Sequence, residues 1–279
     1  MNPTGRPSRF TGVVTLAAVL FLWLPLVVVV LFSLHRTASL SFPFEGVSLR
    51  WYRRVFASDE IRSAAGNSLV VASVTSVTTL LLGTLAAYGM TRTRSRWRGP
   101  LALLFFLPIT LPGLFIGVAL LIAFSRTETS LSLGTVAVAH LVYVFPFFFL
   151  LARAALERLD PALEEAAADL GANGWRVFRR VTLPQVWPVL VGAACLAFAL
   201  SFDEFIITFF VVGPDPTLPL YIWSSLRKTI DPSINAISTL LLMLTVLLFL
   251  VTFWLTSWSE RRRRGAVDPL VLAGQEDAA

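Results

Sequence analysis

Two adjacent carboxylates, Asp203 and Glu204, interrupt an otherwise apolar run in "ALSFDEFIITFFVVG". Such a pair can transfer a proton, hold a metal or attract a cation, and the companions decide which. The chain has two histidines, His35 and His140, and one cysteine, Cys195, with no cluster at metal-ligand spacing. No G-x-S-x-G or H-E-x-x-H occurs. The sole lysine, Lys228, sits in "SLRKTI" with no glycine loop before it, so nucleotide hydrolysis by a Walker-type loop is excluded. Attraction of a cationic solute is the chemistry left to the acid pair; the competing reading is the wet end of a helix. Phe209, Tyr221 and Trp223 follow as aromatic faces that either contact the solute or pack against lipid and helices. His140 admits a proton relay or a hydrogen-bonded packing role, and the absence of a nearby acid in sequence favours packing. Cys195 reads as a small packing residue.

The elements that must position these groups are membrane spans. The chain has 279 residues, 56% hydrophobic and 14% charged, far from a soluble composition. A bilayer core about 30 Å thick needs roughly 20 apolar residues per helix. Charge-free windows at Thr11–Leu34, Ser63–Met90, Gly99–Ser125, Thr129–Ala152 and Asn235–Ser259 meet this. Gln185–Phe202 is shorter and continues past the acid pair through Phe205–Gly213. These predict six transmembrane helices; strands of a barrel would alternate apolar and polar residues. The first run is too long for a signal-peptide core and reads as a retained helix. Asp203 lies about 27 Å of helix beyond Gln185, toward the outer edge of the bilayer core. Pro108, Pro112, Pro146 and Pro188 are candidate kinks, and Gly113 with Gly117 forms a G-x-x-x-G packing pair.

With the N-terminus in the cytoplasm, fifteen of the 23 basic residues flank the spans inside and eight outside. The positive-inside rule therefore places both termini in the cytoplasm. The net charge of +6 comes from these anchors at headgroup depth and implies lipid contact, with no nucleic-acid partner.

One loop is ordered by its own chemistry. In "DPALEEAAADLGANGWRVFRRVTLPQVWP", Asp160 caps a helix that begins at Pro161. Strong helix formers follow, Glu164 and Glu165 favour the dipole of the first turns, and Gly171 suits the left-handed stop. Leu159, Leu163, Ala166, Ala167 and Leu170 form a narrow stripe of mostly small residues. After the Asn173–Gly174 turn, "WRVFRRV" gathers Trp175 and Phe178, with Val181 beside them, and Leu183–Pro184 ends this second helix and opens the next span. The hairpin either lies on the headgroups or docks another protein.

The stretch resembles the EAA loop of ABC-importer permease subunits, EAA-x3-G-x9-I-x-LP. The match is Glu165, Ala166, Ala167, Gly171, then Val181 in the isoleucine place, Leu183 and Pro184. "SLRWYRRVF", "NSLVVA", "LPGLFIGVAL" and "SFDEFIITFFVVGP" with "TLPLYIWSSLR" are similar to segments of spermidine/putrescine-type permeases, more loosely than the loop. The resemblance implies an all-α, six-span permease of the type I importer fold. Residues 1–62 would hold the N-terminal tail, first span and outer loop; residues 63–259 the permease core with its loop at 160–184; residues 260–279 a cytoplasmic tail. It implies a non-enzymatic subunit of an ATP-driven importer in a bacterial inner membrane, with polyamines as expected solute and iron, thiamine or an organic anion as alternatives. It also implies a second permease subunit, two ATP-binding subunits that bind ATP and Mg, and an extracytoplasmic solute-binding protein. Glu165, Ala166, Ala167, Gly171, Trp175, Phe178, Leu183 and Pro184 would then couple to the ATPase. A stand-alone transporter or channel, and a membrane scaffold, remain rivals from other classes.

Overall fold

The computed structural model describes residues 9–37, 44, 46–93, 95–228 and 232–276. The basic anchors Arg6 and Arg94 lie outside them. Among the described residues the regular structure is helical, apart from one isolated bridge between His35 and Val47. The elements are α1 (Arg9–Ser33), α2 (Arg50–Ala57), α3 (Asp59–Arg92), α4 (Arg98–Thr110), α5 (Gly113–Arg126) and α6 (Leu133–Glu157). They continue with α7 (Pro161–Asp169), α8 (Gly174–Val177), a π-helical turn (Phe178–Thr182), α9 (Leu183–Phe202), α10 (Ile206–Val211), α11 (Leu218–Lys228) and α12 (Ser233–Glu276). Five helices, within α1, α3, α6, the continuous Gly174–Phe202 run and α12, are long and apolar enough to cross a bilayer. The α4–α5 pair makes a sixth if it is one broken span.

The chain divides into two compact units. The first comprises Met1–Ser63 and Tyr221–Leu244. Here the segment after α1 folds back on itself: Arg36 N–H donates to Gly46 O at 3.0 Å and Ser48 N–H to Leu34 O at 2.7 Å. Trp51 of α2 is buried and its Nε1 donates to His35 O at 2.8 Å, which satisfies the one polar group of a large apolar ring.

The second unit, Ala64–Leu220 with Thr245–Ala279, holds the candidate site. Its core has two apolar clusters. One joins Ala87 and Met90 of α3, Phe148, Phe149, Ala152 and Leu156 of α6, and Val186 and Leu190 of α9. The other joins Val71 of α3, Ile116 of α5, Val136 and Ala139 of α6, and Ile207 and Val211 of α10. Between them α3 donates side-chain hydrogen bonds to neighbouring backbones, Ser76 to Ala194 O at 2.7 Å and Thr75 to Ala137 O at 3.4 Å. Serine and threonine are suited to this because they pack closely and still satisfy a carbonyl across helices.

Three expectations change. The third span is two helices bent by 109°, not one kinked rod. Two prolines lie one turn apart, Pro108 and Pro112, and Leu111 adopts the extended backbone (φ −96, ψ 133) that a following proline favours. Pro146, alone in α6, and Pro188, one turn after Pro184 in α9, leave their helices unbroken, so proline spacing by itself does not set the break. The fifth apolar run does not pass through the acid pair as a helix: α9 stops at Phe202 and a separate six-residue α10 follows. Finally, Leu183–Pro184 does not end the second loop helix. The chain passes from α8 to α9 without a break, because the π turn accommodates a proline that has no N–H to offer the preceding turn.

Candidate functional site

The short helix α7 forms as its sequence dictates. Asp160 Oδ1 accepts from Ala162 N–H at 3.0 Å, with Pro161 at the first helical position. Gly171 ends the helix at φ +82, a left-handed conformation costly for other residues. Gly171 N–H donates to Ala168 O at 2.8 Å and Ala172 N–H to Ala167 O at 3.1 Å, so the last carbonyls are satisfied. Asn173 then caps α8, accepting from Arg176 N–H at 2.9 Å.

No residue of α7 is buried. Glu165 and Ala166 are exposed, Ala167 is half-buried, and Leu163 and Leu170 are 49% and 90% exposed. Leu159, placed on the same stripe by sequence, belongs instead to the core. The two aromatic residues also part company. Trp175 is 65% exposed, whereas Phe178 is buried, with its ring 4.7 Å from Tyr88 and 5.6 Å from Trp175. Phe178 therefore braces Trp175 from within, and Trp175 presents the large apolar surface. Leu183 packs on the α3–α6–α9 cluster and Pro184 opens α9.

A residue the sequence reading used only for its charge holds this loop to the body. Glu164 Oε2 lies 2.7 Å from Arg92 Nε, and Arg92 Nη2 donates to Glu164 Oε1 at 3.0 Å. Thr182 Oγ1 donates to the same Oε1 at 2.7 Å.

The acid pair sits at the α9–α10 break, and its members differ. Glu204 turns inward and caps α10: Oε1 accepts from Ile207 N–H at 2.9 Å and Oε2 from Thr208 N–H at 3.0 Å. His140 of α6 is buried, with Nε2 3.5 Å from Glu204 Oε2, 2.8 Å from Thr208 Oγ1, and Nδ1 2.8 Å from Ser201 Oγ. Thr208 donates to Glu204 Oε2 at 3.3 Å, so the network fits an imidazole that donates from Nε2 and accepts from Ser201 at Nδ1. The packing reading of His140 thus gains an acid neighbour that sequence distance concealed. Asp203 is exposed, and among the described residues its carboxylate makes no hydrogen bond. Phe209 is exposed one face along α10, with ring contacts to Phe205 and Phe210.

Helix α10 packs on α5, so the second halves of the two broken segments lie together. Gly117 permits this: a Cβ there would stand 2.8 Å from Phe210 Cδ2 and 3.3 Å from Ile207 Cα. Glu204 Oε1 is 3.9 Å from the Cβ position of Gly113, the first residue of α5. Its carboxylate therefore lies by the starts of both short helices, where unpaired N–H groups favour an anion. Tyr221 and Trp223 lie on α11 in the first unit. Tyr221 lines a cavity of about 190 Å³ with Arg54, Glu60 and Ser225, and the Arg227 guanidinium sits 4.8 Å above the Trp223 ring.

The chain as a whole has counterparts among known proteins. Residues 79–265 match the family model described as binding-protein-dependent transport system inner membrane component. The chain belongs to that family. It is 32% identical over 265 residues to the putrescine transport system permease protein PotI of Escherichia coli, covering 92% of this chain and 94% of that one. It is 27% identical over 233 residues to the spermidine/putrescine transport system permease protein PotC of Escherichia coli, covering 83% and 88%. In fold it resembles a bacterial ABC transporter involved in the import of the acidic polysaccharide alginate, at 15% identity and TM-score 0.69, over 90% of this chain and 98% of that one. The inner-membrane component is a permease subunit of an ABC importer, a transport protein and not an enzyme.

Proposed function

We propose that this permease imports polyamines, with α7 as the coupling helix that docks on a separate ATPase subunit. The observation that carries the coupling reading is a capped helix with no buried residue, carrying Glu165, Ala166 and Ala167 before the left-handed Gly171. A soluble-facing helix of nine residues is marginal alone and needs a partner surface or tight anchoring to persist. Both termini and α7 lie in the cytoplasm, supported by the basic residues that flank those ends of the spans. The assembly contains a second permease subunit, two ATPase subunits that bind ATP and Mg, and an extracytoplasmic binding protein. Hydrolysis in the partner moves α7, and the spans alternate between inward and outward access.

Polyamines as solute are supported by the relatives' names and by the acid pair. Glu204 is already committed to backbone N–H groups, Thr208 and His140. Asp203 is free of such partners among the described residues, so its charge is available to a passing ammonium group. Phe209, exposed in the same unit as Asp203, offers an aromatic face for such a cation. The test is co-purification with the ATPase subunits, then ATP hydrolysis and uptake with putrescine, spermidine, ferric iron and thiamine supplied on the binding protein. Stimulation by the polyamines supports the reading; stimulation by another solute alone refutes the solute, and transport without an ATPase refutes the coupling.

A further inference from the structure

The contacts of Glu164 assign a positioning role that lies outside the E-A-A spacing. Among the described residues, the polar side-chain contacts that leave α7 are those of Glu164. They reach two elements at once, Arg92 at the end of α3 and Thr182 in the π turn that leads into α9. Arg92 Nη2 also lies within 3.4 Å of Leu156 O at the end of α6. Four elements therefore meet at one carboxylate–guanidinium contact.

We propose that the Glu164–Arg92 ion pair is the clamp through which motion of α7 is delivered to α3, in parallel with the covalent path through α8 into α9. This rests on the coupling reading of α7. The physical reason is stiffness. The covalent links of α7 are short turns at residues 158–160 and 170–173, the second containing the left-handed Gly171. A turn transmits force poorly, whereas a carboxylate held by one guanidinium hydrogen bond, a close ion-pair approach to Nε and a threonine hydroxyl resists displacement. The pair is 15% and 25% exposed, dry enough to be screened less than a surface pair. Glu164 occupies α7 one residue before Glu165, so the helix can present Glu165 outward while Glu164 grips inward, about 100° away around the helix. Thr182, fully buried, fixes the carboxylate from the other side.

The experiment uses the whole transporter in proteoliposomes, with ATPase content, ATP hydrolysis and uptake measured on the same preparation. Glu164→Ala should retain the ATPase subunits and their hydrolysis while uptake per ATP falls about tenfold, a coupling loss of the size expected for contacting pairs. Glu164→Gln should fall between. The exchange Glu164→Arg with Arg92→Glu should regain most of the lost coupling, which a merely structural role for either residue does not predict. Unchanged uptake per ATP in Glu164→Ala overturns the clamp and leaves the coupling reading standing. Equal loss of ATPase content, hydrolysis and uptake, without rescue by the exchange, also overturns it. A wild-type assembly that holds no ATPase overturns both.

Discussion

Asp203 and Glu204 are neighbours in sequence with opposite expected phenotypes, and the structure supplies the sizes. Replacing Glu204 by Ala removes the acceptor of two backbone N–H groups at 2.9 and 3.0 Å and of Thr208 Oγ1. A lost helix cap costs about 0.5–2 kcal/mol, and a donor left unpaired away from water costs about 1–3 kcal/mol, so the sum is about 1.5–5 kcal/mol. Glu204→Gln keeps one carbonyl oxygen and should lose about half of that. Asp203→Asn disturbs no hydrogen bond and should stay within about 0.5 kcal/mol of wild type. Thermal unfolding of the assembled permease in lipid nanodiscs reads these differences. At the roughly 2–4 °C per kcal/mol typical of 150–250 residues, and toward the lower figure for the 279 here, Glu204→Ala should melt roughly 3–20 °C lower. Asp203→Asn should melt with the wild type while its putrescine uptake falls. If Asp203→Asn is destabilised as much as Glu204→Ala, or Glu204→Ala melts unchanged, the division of roles is wrong.

Gly171→Val forces a branched side chain to φ +82, at about 1–2 kcal/mol, and should raise protease cutting in the α7–α8 turn without shifting the global melt. Gly117→Leu should cost about 1–3 kcal/mol by driving α5 from α10, whereas Gly113→Ala, with 3.5 Å to its nearest neighbour, should be tolerated; melting temperatures compare them. Trp175→Ala should leave stability within about 0.5 kcal/mol because the ring is mostly exposed, yet weaken ATPase capture during purification.

The loop was legible because its determinants are local. Asp160, Pro161, Gly171 and Asn173 act on backbone groups within a few residues, so their types alone placed both helices. The span positions were legible for a similar reason, since length and apolarity suffice. Most of what failed depended on distant partners. The position of the third-span break was readable from Pro108 and Pro112, but its 109° angle accompanies packing of α5 against α10, almost a hundred residues on. Proline at 184 reads locally as a helix boundary, and only the π turn before it shows that the helix continues. His140 and Thr208 are 68 positions apart, and Arg92 and Glu164 are 72 apart; no period or motif marks either pair. One signal was available at Glu204, an acid just ahead of a short apolar run with threonine four residues on, which is the composition of a capped helix start.

The clamp at Arg92 makes the far end of α3 testable as well. Helix α3 has 34 residues, about 51 Å of rod at 1.5 Å per residue, which exceeds a bilayer core of about 30 Å. Near its other end, Asn67 Nδ2 donates to Pro216 O at 3.0 Å and Ser68 Oγ accepts from Leu218 N–H at 2.8 Å. Residues 216–218 come a few positions after α10, whose start Glu204 caps. A displacement of α7 therefore has two routes to the α9–α10 break, along α9 itself and along α3 into the segment behind α10. Ser68→Ala cuts the second route where it ends and leaves the Leu218 N–H unpaired, at about 1–3 kcal/mol. ATPase capture and basal hydrolysis, set at the α7 end, should be unchanged, while solute-driven uptake per ATP falls. Ser68→Thr keeps the hydroxyl and should restore it. Should Ser68→Ala transport as well as wild type while Glu164→Ala does not, α3 delivers its motion through its contacts with α6 and α9 at Thr75 and Ser76, and the far-end grip is only an anchor.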